Sequence, residues 1–123
     1  MKKSVLVVED QSSQRKIIVE ALHRAGYTIH QAADVQQAID LLHQQKPDVL
    51  VADMHLPSGD GTDVIREARK LPGNPVAIVA VSIDLAILNQ NITATYAADA
   101  YLSKPFHPRE LLKIVDELVG IHH

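Results

Sequence analysis

Val49-Leu50-Val51-Ala52-Asp53 is an apolar run closed by an acid. No polar residue interrupts it, so a strand made from it has both faces covered. Such strands belong to parallel sheets, where helices shield each side. Upstream, Val5-Leu6-Val7-Val8 repeats the pattern and closes on Glu9-Asp10. Downstream, Val76 to Val81 repeats it and closes on Ser82. Two further runs are weaker. Tyr27 to Ala33 contains Thr28-Ile29-His30-Gln31-Ala32, whose alternation predicts an edge strand. Ala100-Tyr101-Leu102 leads into Ser103, Lys104 and Pro105.

The segments between these runs carry helical stripes. Ile17, Ile18, Ala21, Leu22 and Ala25 form the first, with Ser12 or Ser13 as its cap and Gly26 as its left-handed end. Asp34 caps the second, which holds Val35, Ala38, Ile39 and Leu42 and stops at Lys46-Pro47. Thr62 precedes the third, and Pro72-Gly73-Asn74-Pro75 breaks it. Asp84 opens a fourth through Leu88, Ile92 and Tyr96. Pro108 sits in the first turn of a fifth, with Leu111, Leu112, Val115, Leu118 and Val119. Five strand–helix units predict an α/β fold: a five-stranded parallel sheet, doubly wound, with helices on both faces. The common order for such a sheet is 2-1-3-4-5, with the ligand crevice at the carboxyl ends of strands 1 and 3.

With 123 residues, the chain reads as one domain, 1–123. A 46 % hydrophobic and 22 % charged composition excludes a disordered or low-complexity chain. Aromatics are only 3 %, which argues against a stacking platform for single-stranded nucleic acid, and a net charge of −3 gives no field for DNA or an anionic membrane. Cysteine is absent, so thiol catalysis, disulfides and thiolate metal sites are excluded. The apolar run after Met1-Lys2-Lys3-Ser4 stops at Glu9, too soon for a secretion signal, and no stretch suits a membrane span. The expectation is a soluble cytoplasmic domain that binds neither nucleic acid nor membrane.

The strand ends carry the chemistry. Glu9 and Asp10 follow the first run, Asp53 ends the third, Ser82 follows the fourth and Lys104 follows the fifth. In the expected order these four strands border one crevice. Two carboxylates about 5 Å apart repel by roughly 3 kcal/mol at an effective dielectric near 20. A cation between them removes that cost. Carboxylate oxygens without His or Cys at strand ends favour Mg²⁺ over Zn²⁺. Mg²⁺ accepts phosphate as a further ligand, Lys104 offers a point charge for a phosphoryl oxygen, and Ser82 offers a hydroxyl. The constellation points to Mg²⁺-assisted phosphoryl transfer onto a carboxylate, with Asp53 as nucleophile.

Val7-Val8-Glu9-Asp10, Asp53-Met54-His55-Leu56-Pro57 with Gly61, Ala80-Val81-Ser82 and Tyr101-Leu102-Ser103-Lys104-Pro105-Phe106 together resemble the receiver domain of two-component response regulators, the CheY-like, flavodoxin-like family. The resemblance covers essentially the whole chain. It implies Asp53 as phosphoacceptor, Asp10 as direct Mg²⁺ ligand, Glu9 as a ligand through water, and His55 as a ligand through its backbone carbonyl. It implies Ser82 and Tyr101 as the switch pair, Lys104 as the phosphate-pairing lysine, and a cis bond before Pro105. The implied partners are a histidine kinase or histidine phosphotransfer protein and an output domain or effector. The output surface would be the fourth helix, fifth strand and fifth helix, with homodimerisation possible there. Such a domain assists its own phosphorylation and hydrolysis but is not a multiple-turnover enzyme.

Three positions depart from the family pattern. Ile83 is bulky where a small residue is common, which predicts narrowed access to the phosphoryl group. Ala97 replaces the usual glycine before strand 5. Residues 85–98 lack charge, which predicts a partner or dimer patch on the fourth helix. Two rival functions are a Mg²⁺-dependent aspartyl-phosphate phosphohydrolase and an unphosphorylated interaction scaffold. The first lacks a second acid, since the segment reads Asp53-Met54-His55. The second predicts loss of an acid or the lysine, and all are present. His23, His30, His43 and His107 have no ligand spacing and read as surface residues.

Overall fold

The computed structural model of the chain describes residues 3–56, 59–73, 75–83 and 98–120. Strands β1 (Ser4–Val8), β2 (Thr28–Ala32), β3 (Val49–Asp53), β4 (Ala77–Ser82) and β5 (Ala100–Ser103) form a sheet ordered β2-β1-β3-β4-β5. Every pairing in it is parallel. Helices α1 (Ser12–Arg24), α2 (Val35–Gln45) and α3 (Gly61–Lys70) alternate with the strands, and a C-terminal helix spans Pro108–Gly120. The sequence-derived fold class and strand order therefore hold. A two-residue ribbon, His55–Leu56 against Gly59–Asp60, lies between β3 and α3. The fourth helical stretch from Asp84 through Tyr96, and Ala97, lie outside the described residues, as does nearly all of the uncharged 85–98 surface. Among the described residues, no helix is long and apolar enough to cross a membrane.

The two-residue period of each strand sorts its side chains into two cores. Val5, Val7, Val49, Val51, Val79, Val81 and Leu102 pack with Ile18 and Leu22 of α1 and with Leu111 and Val115 of the C-terminal helix. Leu6, Val8, Leu50, Ala52, Ile78 and Ala80 pack with Ala38 and Leu42 of α2 and with Val64, Ile65 and Ala68 of α3. The three continuous apolar runs are those buried on both sides, and β2 occupies an edge as its alternation predicts.

The helix ends mix expected and unexpected devices. Asp34 caps α2 by accepting from the Gln37 N–H at 2.8 Å. Lys46 closes the same helix in a left-handed conformation before Pro47. Gly26 takes φ 101° after α1, a region open to glycine without a Cβ penalty. Neither Ser12 nor Ser13 caps α1; Gln11 is the cap residue and makes no side-chain cap bond. The chain enters the helix one residue early because the turn after β1 is held by Glu9, whose carboxylate accepts from the Gln11 N–H at 3.3 Å.

Tyr27, just before β2, donates a short hydrogen bond to Asp116 on the C-terminal helix. Burial, and then the Asp116 carboxylate, push the Tyr27 phenol well above the usual tyrosine range. Folding thus favours the neutral phenol. That contribution to stability is complete below the ordinary tyrosine pKa of about 10 and is lost as pH rises through the raised folded value. Alkaline titration followed by tyrosine absorbance should show one tyrosine that ionises late, and Tyr27→Phe should remove that late phase. A late phase retained in Tyr27→Phe would contradict the assignment.

Candidate functional site

The same two-residue period aims the site residues. Glu9 follows Val7 by two, Asp53 follows Val51 by two and Lys104 follows Leu102 by two, so each continues the strand face that α1 and the C-terminal helix cover. The register sets their height. Val8 pairs Ala52, Asp53 pairs Val81 and Ser82 pairs Ser103, which brings the carboxyl ends of β1, β3, β4 and β5 to one level.

Lys104 is the hub. Its Nζ donates to Glu9 Oε1 at 2.6 Å, to Asp53 Oδ2 at 3.0 Å and to Gln14 Oε1 at 3.3 Å. Glu9 is 2 % exposed and Asp53 is 6 % exposed, so both carboxylates meet the lysine away from bulk water. Charge-assisted bonds of this length in a dry site are the strong kind. Burial raises the Glu9 pKa, the neighbouring Asp53 charge adds to that, and Lys104 opposes it. Burial alone disfavours the Lys104 charge, yet the two carboxylates override it and hold its pKa above the ordinary lysine value. The lysine therefore stays charged throughout the neutral range.

The third acid is Asp10, half-buried at the turn after β1. One carboxylate oxygen from each of Glu9, Asp10 and Asp53 lies within 4.8 Å of the others. An all-oxygen trio of this size, open to solvent at Asp10, fits a hard divalent cation. The loop that presents two of its members is braced from outside. Arg15 of α1 donates from Nη1 to the Glu9 carbonyl at 2.7 Å and from Nε to Gln31 Oε1 of β2 at 3.1 Å. Asp53 is braced by the next residues: its Oδ1 accepts from the His55 N–H at 2.9 Å, and the Met54 N–H donates to the Val81 carbonyl at 2.9 Å.

Ser82 is wholly buried at the end of β4, and its carbonyl accepts from the Lys104 N–H at 2.9 Å. Its hydroxyl lies 3.2 Å from the Nε2 of His55. Tyr101 is half-buried against the α2–α3 core, and its hydroxyl accepts from the Ala98 N–H at 3.1 Å. The Lys104–Pro105 bond is cis. Ile83 is 72 % exposed and lines a cleft of about 470 Å³ with Gln14, Ile17, Lys104, Pro105 and Phe106.

A sequence model of the family described as response regulator receiver domain matches residues 5–116. The chain belongs to that family. Solved receivers are close to it in shape. A signal receiver domain from Bermanella marisrubri is 34 % identical with a TM-score of 0.84, over 97 % of this chain and 99 % of that one. The receiver domain of sensor histidine kinase PA1611 from Pseudomonas aeruginosa, solved with a magnesium ion in its active site cleft, is 30 % identical with a TM-score of 0.82, over 98 % and 99 % of the two chains. A Guillardia theta protein named "Probable transcriptional regulator ycf27" is 39 % identical over 111 residues. That match takes in 89 % of this receiver but only 42 % of the relative's length.

Sequence reasoning placed Glu9, Asp10, Asp53 and Lys104 together, and the structure brings them together. It missed three supports of the receiver's site. Arg15 was an ordinary exposed helix residue in the sequence. Asp99 accepts from the Ile78 N–H at 2.7 Å and so ties the start of β5 to β4. The contact of the His55 ring with Ser82 was not foreseen, because a contact with a residue 27 positions away leaves no local signal.

Proposed function

We propose that residues 1–123 act as one phosphorylation-controlled receiver domain of a two-component phosphorelay, with Asp53 as phosphoacceptor. One observation carries the reading: a buried Asp53 lies between an acidic pair and a charged lysine at adjoining strand ends. An Asp53 oxygen attacks the phosphorus of a phosphohistidine on a histidine kinase or phosphotransfer protein. The new O–P bond forms as the P–N bond breaks, and the imidazole leaves with the electron pair. Asp10 and Asp53 directly, Glu9 through water and the His55 backbone carbonyl would hold Mg²⁺, in keeping with the magnesium-bound relative. When bound, Mg²⁺ supplies neutralisation of the charge that gathers on the phosphoryl oxygens.

The chain's own residues do the rest. Lys104, fixed by Glu9 and Asp53, is within reach of a phosphoryl oxygen on Asp53. Ser82 donates its hydroxyl to the phosphoryl group, and Tyr101 turns inward behind it. That motion remodels the surface of the fourth helix, β5 and the C-terminal helix, where an output domain, an effector or a second copy binds. The domain is a phosphoacceptor that aids its own phosphorylation and dephosphorylation, and we place it in the cytoplasm.

Incubation with Mg²⁺ and a small acyl phosphate should add one base-labile phosphoryl group. Asp53→Asn should add none, and metal chelation should prevent the addition in the wild type. The same mass shift in Asp53→Asn would overturn the assignment.

A further inference from the structure

His55 joins two parts of the site that the reading above treats separately. Its backbone N–H donates to Asp53 Oδ1 at 2.9 Å, and its ring Nε2 lies 3.2 Å from Ser82 Oγ. One residue therefore touches the nucleophile through its main chain and the switch hydroxyl through its side chain. Both ends of the contact are anchored. His55 pairs with Asp60 in the short antiparallel ribbon, which fixes the base of the ring. The Ser82 backbone is held by the Lys104 N–H on its carbonyl and by register with Ser103. Ser82 can therefore reposition its oxygen only by rotating about χ1 between staggered wells.

We infer that the His55 side chain is a positioning residue that holds the Ser82 hydroxyl in the unphosphorylated state, so that the contact must break before Ser82 reaches a phosphoryl group on Asp53. The inference rests on the receiver reading. A serine hydroxyl has one proton to donate, and a ring nitrogen and a phosphoryl oxygen compete for it or for the position of its oxygen. The contact sits where a hydrogen bond matters. Ser82 is 0 % exposed with the ring in place, so its hydroxyl meets the ring and not bulk water. Exchanging one partner of a bond of this class changes an equilibrium by about 2- to 10-fold. His55 is thus a brake on the switch, set by this chain's own choice of residue two positions after Asp53.

The test uses beryllium trifluoride with Mg²⁺ as a phosphoryl mimic. His55→Ala should bind the mimic about 2- to 10-fold more tightly than wild type, in line with the size of one such bond. His55→Gln, which keeps a side-chain amide, should return toward wild type. In a Ser82→Ala background, His55→Ala should change nothing, because the partner is already gone. A merely structural role for His55 would give the same change in both backgrounds and would overturn the inference, as would weaker binding by His55→Ala. Where a variant does not fold, the Nε2 chemical shift of His55 in wild type decides: it should move when the mimic binds, and an unmoved shift overturns the inference. Mimic bound equally by wild type and Asp53→Asn would instead sink the receiver reading itself.

Discussion

Lys104→Met should destabilise the metal-free protein by about 3–5 kcal/mol at neutral pH, the usual result of removing one partner of a buried ion pair. The lysine is the cation that meets both Glu9 and Asp53, at 2.6 and 3.0 Å. Without it, two buried carboxylates face each other. Glu9 already titrates high because of burial, and losing Lys104 removes the one side-chain bond that lowers it. A carboxyl whose folded pKa exceeds its unfolded value favours folding below the unfolded pKa and loses that benefit as pH rises through the folded one. The deficit of Lys104→Met should therefore be largest at neutral pH and shrink on acidification. Mg²⁺ should restore more stability to the variant than it adds to wild type, since a cation again stands among the acids. Glu9→Gln combined with Lys104→Met should recover part of the loss by removing one of the stranded charges. Urea unfolding at neutral and acidic pH, with chelator and with Mg²⁺, reads all four quantities. A loss below about 1 kcal/mol, typical of an exposed pair, would mean that the lysine does not hold the acids together.

What the sequence made legible follows from period and level. A short continuous apolar run rich in Val and Ile suits a strand covered on both faces, and three such runs name the sheet's centre. The residue that ends each run then stands at a common edge, and its parity decides which helices it lies beneath. Glu9, Asp53 and Lys104 share that parity, so their meeting was readable without coordinates. Contacts between loops were not readable. Ser12 and Ser13 have the chemistry of caps, but the turn is governed by Glu9 and Arg15 and begins the helix at Ser12. His107 is the exposed residue it was read to be, but its local bonds were not foreseen: its ring Nδ1 accepts from the Arg109 N–H at 3.1 Å and its own N–H donates to Glu110 Oε1 at 3.3 Å. Histidine is not a common cap, so propensity gave no warning. The His55–Ser82 contact is of the same kind: it depends on where a ribbon carries one ring.

Gly61 shows the same limit at a position of large effect. In sequence it follows a turn and precedes a helix, which any small polar residue also does. Its φ is not left-handed, so conformational freedom is not the reason for it. The reason is space. A Cβ added here would stand 2.5 Å from the Asp53 carbonyl oxygen and 3.0 Å from the Met54 Cα. Those are backbone atoms and cannot rotate away as a side-chain tip does. The Gly61 N–H also donates to the Met54 carbonyl at 3.1 Å, which holds the start of α3 against the end of β3. Gly61→Ala must therefore push α3 and the Asp53–Met54 backbone apart. Overpacking of this sort costs about 1–3 kcal/mol of stability. The functional cost should be greater, because the displaced backbone carries Asp53. A misplacement of about 1 Å at a reacting group lowers a rate by roughly 100-fold. The expected result is a folded protein that takes up a phosphoryl group from a small acyl phosphate at about one hundredth of the wild-type rate. Gly61→Ser should behave likewise, since the obstruction is the Cβ, while Gly120→Ala, whose added Cβ meets nothing within 4 Å, should leave the rate unchanged. Wild-type uptake by Gly61→Ala would show that α3 yields without moving Asp53.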